Sequence, residues 1–196
     1  ELMISVPKGV TAATGFDAFT HAFESYLGGR TSPLTKQMSF QAIELVIENL
    51  PKAIKEPNNI EYRTQLAWAD TLAGMCLSNG GADLPHPLGE IIGGICPRIA
   101  HGETLAMVYP YFLEYKKNIA PDKFKEIAVF LGLKKDSSEL SSKIIELLNI
   151  TDLSNACKRA ELTKEEKNEI LTHPLLTKLE PKNSDKIVSI MKKSII

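Results

Sequence analysis

The sequence has few cysteines, almost no net charge and no long apolar run, and each shortage closes off a class of function. Its three cysteines in 196 residues, Cys76, Cys96 and Cys157, are far apart and never form a Cys-x-x-Cys pair. That argues against a disulfide framework and a thiolate zinc site, and points to a reducing cytoplasm. Lysine and arginine number 23 against 24 aspartates and glutamates, a formal net charge of −1. No basic excess draws the chain to phosphate backbones, so no nucleic-acid partner is expected. No apolar stretch approaches the roughly 18 residues that a membrane span needs, so no membrane partner is expected either. The opening Glu1-Leu2-Met3 is not followed by a charged and then an apolar leader segment, so no secretory signal is expected. A chain that opens this way reads as a piece of a longer protein. Internal repeats, low-complexity tracts and strict two-residue alternation are missing, so no strand is expected.

What is present is helical. Hydrophobic residues make up 43% and charged residues 24%, an ordinary globular balance in a chain long enough for one core. Thr11 to Leu27 carries Phe16, Phe19, Ala22, Phe23 and Tyr26 on one side, and Gly28-Gly29 stops it. Thr31-Ser32-Pro33 reads as a cap for a long helix that Pro51 bends or ends. Asn59 to Leu77 follows, closed by Asn79-Gly80-Gly81. Leu84–Ile95 and Gly102–Tyr115 flank a loop at Pro97, and lysine-rich amphipathic helices follow near 121–132, 137–149, 163–171 and 184–195. The expectation is an all-α helical bundle of eight or nine helices.

Histidine is the informative residue type. His173, before Pro174 in a lysine-rich stretch, reads as a surface turn residue. His21, His86 and His101 lie in glycine-rich, polar-poor surroundings. Asp17 and His21 are four apart on a helix, about 40° different in direction and about 6 Å in rise, so they face one spot. Such a pair can share a metal or form a plain hydrogen bond, and the latter is commoner. His86 sits between Pro85 and Pro87 at a helix start, and Gly102 beside His101 allows a close backbone approach. Any one of these histidines alone is more often a satisfied core residue than a ligand. Together one Asp and three His make a nitrogen-and-oxygen donor set suited to Fe(II) or Zn(II) and poor for Ca or Mg. Such a centre would act as a Lewis acid on an alcohol or carbonyl oxygen.

Four ordered motifs carry a resemblance: Thr-Ala-Ala-Thr-Gly-Phe-Asp-Ala-Phe-Thr-His-Ala-Phe-Glu-Ser-Tyr at 11–26, Leu-Ala-Gly-Met-Cys-Leu-Ser-Asn-Gly-Gly at 72–81, His-Pro-Leu-Gly at 86–89, and His-Gly-Glu-Thr-Leu-Ala-Met-Val-Tyr-Pro at 101–110. They resemble the iron-containing, group III alcohol dehydrogenases, closely to about Tyr115 and loosely beyond. The resemblance implies the helical, dehydroquinate synthase-like C-terminal domain of such an enzyme. It implies a metal held by Asp17, His21, His86 and His101, a small alcohol or aldehyde substrate, and a hydride passed to NAD or NADP. The nicotinamide-binding α/β domain that precedes this region in the family has no counterpart here. No Gly-x-Gly-x-x-Gly or Walker pattern occurs, and Gly89, Gly93 and Gly94 fit a helix packed closely on a neighbour. The resemblance therefore implies a missing N-terminal domain as partner, an exposed apolar face beside His86 and His101 where it docks, and self-association through that face. Two departures stand out. Many members carry a second histidine where this chain has Glu90, for which a surface carboxylate is the simpler reading and a proton relay the alternative. The step from His86 to His101 is also one residue longer than usual. Two rival readings remain: a metal-dependent lyase or synthase of the same superfamily, and a helical interaction module whose histidines belong to the core.

Overall fold

The computed structural model describes residues 1–28, 30–133 and 137–196, and these contain ten α-helices and no strand. After a 3-10 turn at Leu2–Ser5 come α1 (Lys8–Leu27), α2 (Pro33–Lys55), α3 (Ile60–Gly80), α4 (Pro85–Ile95) and α5 (His101–Lys116). The C-terminal part adds α6 (Pro121–Phe130), α7 (Ser137–Ile150), α8 (Ala156–Ala160), α9 (Lys164–Leu171) and α10 (Ser184–Ser194). The all-α expectation holds.

Helix α1 is the axis of the molecule. It packs against α2, α3 and α5, and side chains on every side of it are buried. A helix apolar all round is a central one. Phe16, Phe19 and Phe23 recur at helical spacing and are wholly buried. Tyr109 of α5 meets the Phe16 ring edge-on at 5.0 Å, and Phe124 of α6 meets Phe23 at 5.5 Å. Each such ring removes a large apolar area from water and adds about 0.5–1.5 kcal/mol through its edge-to-face geometry. This aromatic spine joins α5 and α6 to α1.

The helix ends follow their chemistry. The Ser32 hydroxyl accepts from the Thr35 N–H, the Thr35 hydroxyl accepts from the Ser32 N–H, and Pro33 opens α2. Asn59 caps α3 through the N–H groups of Glu61 and Tyr62, and Gly81 ends it at φ 76°, where only glycine is unstrained. Pro51 does not end α2. The helix runs on to Lys55 and buries Ala53, so packing outweighs the one bond that the missing N–H forfeits. Helix α1 starts three residues earlier than its apolar pattern and ends at Leu27; of the pair expected to stop it, Gly29 lies outside the described residues. The buried guanidinium of Arg63 fastens the chain's first segment. It donates to the Pro57 carbonyl (3.0 Å), the Thr11 hydroxyl (2.5 Å) and the Val6 carbonyl (3.0 Å).

Candidate metal centre

The centre is built where α4 and α5 begin against the middle of α1. Gly102 sets that approach. A Cβ there would stand 2.0 Å from the Ala13 carbonyl oxygen, so only glycine lets the start of α5 lie on the α1 backbone. Gly89 serves α4 in the same way, since a Cβ would come within 2.9 Å of the Thr104 hydroxyl. Gly94, expected to pack closely, has open space in place of a neighbour within 4 Å.

Three imidazoles converge on one carboxylate oxygen. Oδ1 of Asp17 lies 3.4 Å from Nε2 of His21, 3.6 Å from Nε2 of His86 and 3.8 Å from Nε2 of His101. Donor atoms of Asp17, His86 and His101 are all within 4.8 Å of one another. His21 falls outside that mutual set; its ring stacks on His86 at 4.8 Å and 24°. Ligands bonded at about 2.0–2.2 Å stand about 3 to 3.5 Å apart around one ion; the three separations from Asp17 lie at or just above that range, whereas the mutual spread of up to 4.8 Å is wider and would have to contract around an ion. Exposure is graded, from 9% for the His86 side chain to 43% for His101, so the cluster opens to solvent on the His101 side.

The residues fit a divalent cation on a second ground. Oδ1 of Asp17 and Nε2 of His86 are buried and have no hydrogen-bond partner. Buried polar atoms without partners cost free energy, and two of them aimed at each other at 3.6 Å define a place for a positive charge. Burial pushes the Asp17 carboxyl up, but the imidazoles around it, His86 foremost, outweigh that and hold it below its ordinary value. Burial lowers His21 against the pull of Asp17, which favours the neutral, ligating imidazole.

Behind His86 stands a residue that sequence reasoning passed over. Glu24 is fully buried; its Oε2 lies 2.9 Å from Nδ1 of His86 and accepts from the Asp83 N–H at 2.9 Å. Burial raises its carboxyl to about 7, against the pull of His86. For His86, burial works downward, but Asp17 and Glu24 on its two sides lift it to about 10. Asp83 is itself ion-paired with Lys116 of α5. A signal for Glu24 was present. Asp17, His21 and Glu24 fall at i, i+4 and i+7, one face of α1.

Glu90 is exposed on α4. His173 takes no part; its Nδ1 accepts from the Leu175 N–H in a turn after α9. Among the described residues no large apolar side chain on α4 or α5 is exposed; the exposed ones include Leu2, Met3 and Val10 at the chain's start and Ile60, Trp68 and Met75 on α3. Between these elements runs a groove of about 580 Å³, lined by Val6, Val10, Leu66 and Asp70, that reaches the cluster at Asp17.

A sequence profile described as the C-terminal part of the Fe-containing alcohol dehydrogenase family matches residues 11–195. The chain belongs to that family. 1,3-Propanediol dehydrogenase of Citrobacter freundii is 36% identical over 135 residues, which cover 69% of this chain and 35% of that protein. NAD-dependent methanol dehydrogenase of Bacillus methanolicus is 36% identical over 132 residues, covering 67% and 34%. Sulfoacetaldehyde reductase of Bifidobacterium kashiwanohense, solved in complex with NAD+, superposes with a TM-score of 0.85 at 26% identity, over 99% of this chain and 52% of that one. The chain thus spans about a third of the length of the sequence relatives it matches. The iron in the family's description suits an Asp-and-His donor set, whereas Ca and Mg prefer oxygen-rich shells.

Proposed function

We infer that this chain is the metal-binding part of an NAD- or NADP-dependent alcohol dehydrogenase, with Asp17, His21, His86 and His101 holding one Fe(II) or Zn(II). The observation that carries this is the convergence of three imidazole Nε2 atoms on Asp17 Oδ1 at 3.4–3.8 Å. A divalent metal held there supplies Lewis-acid polarisation of the oxygen of a small alcohol or aldehyde.

The chain's own residues do the rest. Asp17 brings the one negative charge among the four, so the donor set leaves a divalent centre net positive. His86 is fixed and shielded, whereas the 43% exposure of His101 leaves that side open to substrate. The groove that ends at Asp17 has apolar walls in Val6, Val10 and Leu66, and these exclude water from the cleft once it is covered. The described residues offer no strand-turn-helix phosphate cradle, and the nicotinamide falls to an N-terminal domain of the kind the relatives' greater length contains. The exposed apolar residues at the chain's start and on α3 suit contact with that domain or with a second copy of the chain. No helix among the described residues is long and apolar enough to cross a membrane. Three unpaired cysteines fit a reducing, cytoplasmic setting.

The test is a parallel titration of NADH and NADPH into the metal-loaded chain and into the parent protein, followed by nicotinamide fluorescence and assays with short-chain alcohols. The reading expects binding and turnover by the parent only. Turnover by the chain alone overturns the division of labour, and a parent inert toward alcohols overturns the dehydrogenase reading.

A further inference from the structure

We propose that Glu24 is the positioning residue of the metal centre: it holds His86 with Nε2 turned toward Asp17 and thereby sets the affinity for the metal. The proposal rests on the metal-binding reading above and adds to it the group that makes the site selective for one ring orientation.

An imidazole that ligates through Nε2 must carry its proton on Nδ1 and keep its ring plane fixed, and both depend on what Nδ1 meets. Nδ1 of His86 meets Glu24 Oε2 at 2.9 Å, while its Nε2 faces Asp17 Oδ1 at 3.6 Å. Asp17 and Glu24 lie seven residues apart on one face of α1, about 10 Å along the axis, and His86 reaches across from α4 to span them. The stacked ring of His21 covers the face of His86 at 4.8 Å.

Glu24 is itself held. Its Oε2 also accepts from the Asp83 N–H, the last turn before α4, and Asp83 is paired with Lys116 of α5. The chain of contacts from Lys116 through Asp83 and Glu24 to His86 therefore ties together α5, α1 and α4, the three helices that bear the donors. A fully buried carboxylate is expensive, and breaking even with it needs a specific partner. Among the hydrogen bonds of the described residues, His21 and His101 have no such carboxylate behind them. His86 is the anchored ligand, and the other two adapt to it.

The test uses Zn(II) and three variants. Glu24→Gln keeps an acceptor for Nδ1 but loses the charge; Glu24→Met removes both; His101→Ala is the control for ligand loss. Zn(II) affinity is read by competition with a chromophoric chelator. The ring nitrogens of His86 are read by 15N NMR of the loaded protein. Loss of a carboxylate behind a ligating histidine typically weakens metal binding about 10- to 100-fold, so we expect a drop of about 10-fold for the Gln variant and about 100-fold for the Met variant. The hydrogen-bonded Nδ1–H signal should be lost in the Met variant, while the helicity of the metal-free protein stays near that of the wild type. If the Met variant does not fold, the Gln variant alone carries the test. Zn(II) affinity within twofold of the wild type in the Glu24 variants, with His101→Ala still losing it, overturns this proposal and leaves the metal centre standing. A wild-type chain that takes up no Zn(II) overturns both.

Discussion

At the scale of single residues, two carboxylates on one face of α1 divide the labour around His86. Asp17 faces Nε2, the side of the proposed metal, and Glu24 holds Nδ1 on the other. This arrangement has a pH signature. Glu24 is raised to about 7 and His86 to about 10, so both favour their protonated forms in the metal-free fold. The stability they contribute is complete below their ordinary values, about 4.5 and 6.5, and is lost as pH rises through about 7 and about 10. These two groups therefore draw stability away from the metal-free chain as pH rises past about 5, while His21, held below its ordinary value by burial, opposes them and adds stability as its imidazole sheds its proton. Metal binding runs the other way, because His86 must shed its Nε2 proton to ligate. The gap in unfolding temperature between Zn-loaded and chelator-treated protein should widen from pH 6 to pH 8; a constant or shrinking gap contradicts this picture. Asp17 and His21 could be found from the sequence because their spacing is local. Glu24 shares that local spacing, but a helical glutamate ordinarily reads as solvated, so the spacing alone did not assign it a role. Its partner, His86, is 62 residues away in the chain and is brought to it only by the fold.

At the scale of elements, the caps were readable because they are local chemistry. Ser32 and Pro33 start α2 and Gly81 ends α3 as expected, while Asn59, expected as the first residue of its helix, stands one place before α3 as its cap. Helix α8 was not legible because five residues hold too little of a period to show, and of the two expectations for Pro51, to bend or to end α2, the ending fails because burial of the following turn is a tertiary effect. Gly102 is where element geometry and chemistry meet. Substituting valine places a Cβ against the Ala13 carbonyl, so the start of α5 must lift from α1 and take His101 with it. We expect Gly102→Val to cost roughly 1–3 kcal/mol of stability and to abolish tight Zn(II) binding. Ser32→Ala should cost about 1 kcal/mol through the lost cap and leave Zn(II) affinity unchanged. Urea unfolding and chelator competition on the two variants make the comparison. Equal metal loss in both would show that general destabilisation, not the α1–α5 approach, controls the site.

At the scale of the whole molecule, the chain carries the proposed ligands Asp17, His21, His86 and His101 but spans only part of the length of its relatives. The matched stretch covers about a third of the propanediol and methanol dehydrogenases and about half of the solved reductase. Hydride transfer needs nicotinamide and carbinol carbons held about 3–3.5 Å apart, and that positioning supplies much of the rate. The isolated chain should thus bind metal yet show no alcohol-dependent reduction of NAD or NADP in a spectrophotometric assay. The central claim is the ligand set, and metal stoichiometry tests it most directly. Wild-type chain, Asp17→Asn, His101→Ala and His173→Ala are loaded anaerobically with Fe(II) or Zn(II), desalted and analysed for bound metal. The account predicts one metal per chain for the wild type and for His173→Ala, and close to none for Asp17→Asn and His101→Ala. No stoichiometric uptake by the wild type, or equal retention by all four proteins, would contradict it.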